Sequence, residues 1–315
     1  KMNKYVFPTM ITPYSADGSV DYATCEKYVQ WYHDKGCNGI FAVCQSSEMF
    51  YLSLEERIKL NSVVWNKAKE IEKNGGRDMI VVSSGHIAES IDEQIYELNK
   101  MAETGTDAII FITNRLDINN EGDDVWIKNA EKLIRGLPKD LKLGLYECPY
   151  PYKRLVTPKI LQWCLDTGRF FYMKDTCCDA DMLDSRIKML KGSNFKLLNA
   201  NSQTLLHSLQ SGGDGYCGVM ANFHPELYVW LCENYEKEPE KAKIMQGLLA
   251  TTAFTELFLP YPLIAKYHMC LEGIKTENHG RSRKASELTD YAKSCVEQMR
   301  DLCEYMRDTI IKTNY

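Results

Sequence analysis

The apolar residues of this chain come in short, nearly unbroken blocks, each ended by polar or glycine-rich punctuation. Tyr5-Val6-Phe7-Pro8, Gly39-Ile40-Phe41-Ala42-Val43-Cys44, Met79-Ile80-Val81-Val82-Ser83 and Asp107-Ala108-Ile109-Ile110-Phe111-Ile112 are the first four. Leu143-Gly144-Leu145-Tyr146, Phe170-Phe171-Tyr172-Met173-Lys174, Lys196-Leu197-Leu198-Asn199 and Gly215-Tyr216-Cys217-Gly218-Val219 complete the set. Apolar runs without polar alternation describe strands covered on both faces. Between the blocks the apolar spacing changes to the helical period. Asp21 reads as the N-cap of a helix stopped by Gly36, Ser53 with Glu56 as a capping box, and Ser90 as a third cap. Eight strands alternating with helices every ~20–40 residues predict a parallel α/β fold. Eight is also the number that closes a (β/α)8 TIM barrel, which assigns residues 1–224 to the barrel. Residues 225–315 then form a C-terminal helical extension packed on it, with helices near 228–235, 240–257, 264–271 and 287–307. An open doubly wound sheet is the competitor, and no G-x-G-x-x-G follows any strand to support it.

A barrel gathers its chemistry at the C-terminal ends of the strands. The converging residues are Thr9, Thr12, Gln45-Ser46-Ser47, Ser83-Ser84, Thr113, Tyr146, Lys174, Asn199 to Asn201, and Cys217. Lys174 stands out. It ends an aromatic strand and is followed by the polar run Asp175-Thr176-Cys177-Cys178-Asp179. An ammonium ion lodged there is poorly solvated, which favours the neutral amine, and a neutral amine attacks ketones to give Schiff bases. Strand alternation turns Tyr172 inward with Lys174 and sends Phe171 and Met173 toward the helices. Tyr146 ends the neighbouring strand at the same level, placing a phenol near the amine as a proton carrier. The hydroxyls and backbone N–H groups of Ser46-Ser47 suit a bound carboxylate. A lysine after an apolar strand is more often a surface residue with a packed stem, so Lys174 depends on the other strands for its meaning. Gly212-Gly213 reads as a tight turn into the eighth strand rather than a phosphate cradle.

With 315 residues, 44% of them hydrophobic, the chain buries a large core. A net charge of -5 without a basic stripe argues against a nucleic-acid partner. No apolar run reaches the ~20 residues of a membrane span and no signal-peptide pattern opens the chain, so no membrane partner is expected. The 12 cysteines lack a C-x-x-C and read as reduced thiols of a cytoplasmic protein. The 6 histidines share no ligand spacing, so no metal site is expected.

With these residues assembled, the chain resembles the dihydrodipicolinate synthase/N-acetylneuraminate lyase family of pyruvate-dependent class I aldolases. The resemblance runs from Val6 to beyond Lys266. Its anchors are Phe7-Pro8-Thr9-Met10-Ile11-Thr12-Pro13 with Asp17-Gly18, Gly36 to Gly39, Ser46-Ser47-Glu48, Tyr146 with Pro149, Lys174-Asp175 and Gly212-Gly213. It implies that Lys174 forms a covalent Schiff base with pyruvate or another 2-oxo acid and that Tyr146 shuttles protons. By the same resemblance Gln45, Ser46, Ser47, Thr113, Ala200 and Cys217 line the substrate site. It further implies an aldehyde as second substrate, no metal or organic cofactor, and a homo-oligomer, tetramer or dimer.

The sequence departs from the family pattern at chosen places. The family's Gly-Thr-Thr-Gly-Glu stands here as Cys44-Gln45-Ser46-Ser47-Glu48, so Gln45 replaces the hydroxyl that relays protons to the tyrosine. The tyrosine lent to a neighbouring subunit falls at Ile112-Thr113. Pro151 occupies the place of the synthase arginine, with Lys153 or Arg154 as candidates after a shift, and Ala200-Asn201-Ser202 replaces the acidic run of sialate lyases. An aldolase or hydratase-aldolase acting on a different acceptor fits best. The alternatives are a dihydrodipicolinate synthase using aspartate semialdehyde, and a keto-acid-binding homologue whose catalysis has decayed.

Overall fold

The computed structural model describes residues 3–311. Eight parallel strands form one sheet: β1 (Tyr5–Pro8), β2 (Gly39–Phe41), β3 (Ile80–Ser83), β4 (Ala108–Ile112), β5 (Leu143–Tyr146), β6 (Phe170–Asp175), β7 (Lys196–Asn199) and β8 (Gly215–Gly218). Their order is β1-β8-β7-β6-β5-β4-β3-β2, each strand beside its neighbour in sequence apart from the β1–β8 seam. One helix follows each strand in turn: α1 (Tyr22–Asp34), α2 (Leu54–Lys73), α3 (Ile91–Glu103), α4 (Asp123–Arg135), α5 (Pro158–Thr167), α6 (Ala180–Leu190), α7 (Leu205–Gln210) and α8 (Pro225–Asn234). This is the (β/α)8 barrel that the alternating blocks predict. Beyond it run α9 (Pro239–Thr252), α10 (Thr255–Phe258), α11 (Leu263–Leu271) and α12 (Asp290–Ile310). Helix α8 packs against β1, as the last helix of a closing barrel does. A division at 224/225 therefore falls inside the eighth β/α unit, and the tail of a 225–315 segment, 312–315, lies outside the described residues.

Local signals in the sequence act as read. Asp21, Ser53 and Ser90 accept from the backbone N–H groups of Thr24, Glu56 and Glu93, and the Ser53–Glu56 capping box is complete. Each such cap stabilises its helix by about 1 kcal/mol.

The barrel closes between β1 and β2 almost without a ladder. A bridge joins Thr9 to Phe41, with Met10 N–H donating to Phe41 O at 3.0 Å. Below it the Asn38 side chain substitutes for a missing rung: its Oδ1 accepts from Val6 N–H and its Nδ2 donates to Lys4 O, both at 2.9 Å. Aromatic rings fill the interior. Phe7 stacks on Tyr172 at 5.8 Å, and Phe41 meets both Tyr172 (6.1 Å) and Tyr146 (5.2 Å) edge to face. Tyr172 thus faces inward with Lys174, as alternation requires. The seam at β8 needs glycine: Gly215 has φ +143°, and a Cβ there would lie 2.0 Å from Tyr5 O. Gly215→Ala should therefore destabilise the protein by about 3 kcal/mol through forced separation of β1 and β8. Urea unfolding measures this, and a loss under 1 kcal/mol would mean the seam yields freely.

One buried carboxylate of the barrel gathers two segments of the extension. Glu48, in the left-handed conformation at φ 62°, receives Lys266 Nζ of α11 (2.9 Å) on one oxygen. Its other oxygen accepts from the N–H groups of Arg281 and Ser282, both at 2.7 Å. The expected helix over 240–257 is broken. The Thr252 hydroxyl bonds back to Leu248 O and that of Thr255 to Thr252 O, competing with the helical ladder where α9 ends and α10 begins.

Candidate active site

At the C-terminal end of the strands lies a cavity of about 590 Å³. Strand register decides what meets there, because Tyr146 on β5 pairs directly with Lys174 on β6. Lys174 is only 5% exposed, and its Nζ stands 4.5 Å from the centre of the Tyr146 ring. No ion pair engages that amine among the described residues. Burial raises the Tyr146 phenol well above its usual range, so it rests protonated beside the amine.

The strand ends carrying these two residues are locked together by a buried charge cluster. Arg186 on α6 donates to both oxygens of Glu147 (2.9 and 2.7 Å) and to Asp175 Oδ2 (2.6 Å). Glu147 follows Tyr146 and Asp175 follows Lys174, and both carboxylates are fully buried. Glu147 also accepts from Thr176 N–H and Val156 N–H, so each acceptor lobe is filled. The flanking carboxylates hold the Arg186 guanidinium above its usual range despite its burial.

The remaining sequence candidates divide. Gln45, Ser46 and Ala200 line the cavity with Lys174 and Tyr146. Ser46 Oγ donates to Thr9 Oγ1 (2.9 Å) and accepts from the Tyr261 phenol (2.8 Å). Ser47 does not line it: its hydroxyl donates to Met10 O and Ala42 O, and its N–H is taken by Cys44 O. Thr113 is likewise turned away, with Oγ1 donating to Arg154 O at 2.6 Å. Cys217 lies beneath the cavity floor beside Tyr172, and burial pushes its thiol up to about 12. Of the two cations after the β5 loop, Lys153 lines the cavity and donates to Thr176 O. Arg154 is held elsewhere by Asp117 and Asp123.

Two cavity residues, Tyr261 and Glu256, and a buried neighbour, Cys148, escaped the sequence reading. Cys148 shares an aromatic-rich loop and sits beside Tyr146, its Sγ 3.4 Å from Gln45 Oε1. Tyr261 and Glu256 come from the extension. Glu256 falls inside the helix expected over 240–257, and the structure sets it on α10, beyond the break in that helix. No group of His, Cys, Asp and Glu that could hold a metal ion occurs among the described residues, and no helix there is long and apolar enough to cross a membrane.

Comparison with known proteins points the same way. The model of the dihydrodipicolinate synthetase family matches residues 2–300. A 4-hydroxy-tetrahydrodipicolinate synthase of Shewanella sp. (strain MR-4) is 25% identical over 252 residues, which is 78% of this chain and 81% of that protein. The enzyme of the same name from Haloarcula marismortui is 24% identical, covering 98% of this chain and 96% of its own. Among solved structures, a prophage protein of E. coli K12 in complex with pyruvate superposes with a TM-score of 0.81 at 21% identity, covering 96% of this chain and 98% of its own. At that identity the likeness speaks for the fold.

Proposed function

We propose, for a chain that belongs to the dihydrodipicolinate synthetase family of carbon–carbon lyases, that Lys174 forms a Schiff base with pyruvate or a related 2-oxo acid and exchanges it with an aldehyde. Enzymes of this family work through a lysine–pyruvate Schiff base and need no external cofactor. The observation that carries the reading is the pairing of Tyr146 with Lys174 across β5 and β6, with both side chains in one cavity. The amine nitrogen attacks C2 of the oxo acid, and the carbonyl oxygen takes one proton from the amine and a second from a proton carrier and leaves as water. The resulting iminium withdraws electrons from C3, so the C3–C4 bond of an aldol breaks or, in reverse, an enamine attacks an aldehyde. Tyr146 carries the protons, and Ser46 with the Tyr261 phenol and Gln45 holds the oxo acid's carboxylate. A homo-oligomer, dimer or tetramer, belongs to this reading; because Thr113 replaces an exchanged tyrosine, turnover per subunit should not fall on dilution to monomers.

Borohydride added with pyruvate tests it. The expected result is a covalent mass gain on Lys174, and an unmodified protein would refute the Schiff base. Tyr146→Phe should lower kcat/KM by about 10²–10⁴-fold while the adduct still forms, since a positioned proton carrier contributes on that scale. Undiminished turnover would assign the proton to another group.

A second reading, 4-hydroxy-tetrahydrodipicolinate synthesis, is favoured by the relatives' names and by Lys153 at the cavity wall, a cation suited to an acceptor's carboxylate. Consumption of aspartate semialdehyde with pyruvate would establish it.

A further inference from the structure

Two carboxylates line the cavity, and they are not alike. Glu48 is saturated by Lys266, Arg281 and Ser282. Glu256 makes no side-chain hydrogen bond or ion pair with any described residue. The two flexible cations of the lining are already engaged: Lys153 with Thr176 O, and Arg283 with Glu287 at 3.1 Å. Glu256 lines the cavity from α10, within electrostatic reach of the Lys174 amine and of the Tyr261 phenol. Around it are Lys174 of β6, Cys178 of the following loop, Tyr216 of β8, Tyr228 of α8 and Tyr261 before α11. Lys174 is the one cation of that set, and in the Schiff base its nitrogen is bonded to C2 of the substrate.

We propose that Glu256 is a specificity-determining residue for the part of the substrate beyond C2, admitting an uncharged chain and rejecting one that ends in a carboxylate. This inference rests on the Schiff-base reading of Lys174. The physics is that of selection by repulsion: a carboxylate brought against a carboxylate that holds no ion pair inside a cavity costs more than any hydrogen bond between them returns. A hydroxyl meets Glu256 as donor or acceptor without that cost. Burial holds the Glu256 carboxyl up at about 7, with the Lys174 charge opposing, so its charge builds over the neutral range. Discrimination therefore grows as pH rises from 6 to 8.

The experiment reads adducts directly and does not depend on knowing the aldehyde. Pyruvate, 2-oxohexanoate and 2-oxoadipate are each incubated with the protein and borohydride, and adduct is quantified by mass on wild type and Glu256→Gln. The two six-carbon acids differ only at the end remote from C2. In each adduct the C2=O oxygen leaves as water and borohydride delivers hydride to the iminium carbon, giving a secondary amine. Wild type should favour 2-oxohexanoate over 2-oxoadipate, with the ratio rising about tenfold between pH 6 and 8. Because both acids use the same amine, ionisation of Lys174 cancels in that ratio. Glu256→Gln should shift the ratio at least tenfold toward 2-oxoadipate and flatten its pH dependence, while pyruvate adduct still forms. A ratio and pH profile unchanged in Glu256→Gln, with pyruvate adduct still formed, overturns the assignment of Glu256 alone. Absence of any pyruvate adduct on wild type overturns the Schiff-base reading, and this inference falls with it.

Discussion

Lys174→Ala should abolish the pyruvate adduct and lower carbon–carbon cleavage or synthesis by about 10⁵-fold or more, the scale on which loss of a nucleophile acts. The geometry leaves no substitute. Lys153 and Arg283 share the cavity, but the ammonium of Lys153 is tied to Thr176 O and the guanidinium of Arg283 to Glu287, and a guanidinium stays charged at working pH. Intact-mass spectrometry after borohydride reads the first effect and an aldehyde panel the second. Adduct formation persisting in Lys174→Ala would move the nucleophile elsewhere. A trapped adduct on wild type without turnover of any aldehyde would instead favour a binding protein whose catalysis has decayed, for which Gln45 in the relay position is the motive.

Arg186→Met should cost about 3–5 kcal/mol, the largest loss expected from any single change outside the cavity. The substitution leaves Glu147 and Asp175, both fully buried, facing each other without the guanidinium that bonds to three of their oxygens. It also strips Val156 O of its donor. The consequence reaches the chemistry because the two carboxylates sit one residue beyond Tyr146 and Lys174. Turnover of the folded variant should fall with them as β5 and β6 lose their common clamp. Urea unfolding gives the stability, and the triple change Glu147→Gln, Asp175→Asn, Arg186→Met serves as a control, since removal of a whole buried charge cluster is far less damaging than removal of one member. A loss under 1 kcal/mol in Arg186→Met would show that water or a neighbouring cation fills the gap.

Much of this was legible in the chain. The unbroken apolar blocks and the caps at Asp21, Ser53 and Ser90 are local properties, set by backbone hydrogen bonding and burial on both faces of a strand. From them the count of β/α units follows, and from the count a barrel. Lys174 and Tyr146 could be paired in advance because each closes its strand, and parallel register brings strand ends together. Ser47 and Thr113 were expected beside them on the same argument, yet their hydroxyls serve neighbouring carbonyls. A sequence places a residue at a strand end; the direction of a short side chain past that end depends on which acceptor lies nearest.

What the sequence by itself determined is therefore the periodic part: strands, helices, the closed ring, and the amine–phenol pair at its mouth. Tertiary structure alone decided which carboxylates are answered and which are not. Glu48 is neutralised by groups 218 to 234 residues away along the chain, and Arg186 joins two strand ends from a helix outside the ring. Glu256 lines the cavity from α10, beyond the break where the Thr252 hydroxyl bonds back to Leu248 O and that of Thr255 to Thr252 O. Charge compensation is a sum over space, and no pattern read along one dimension contains it.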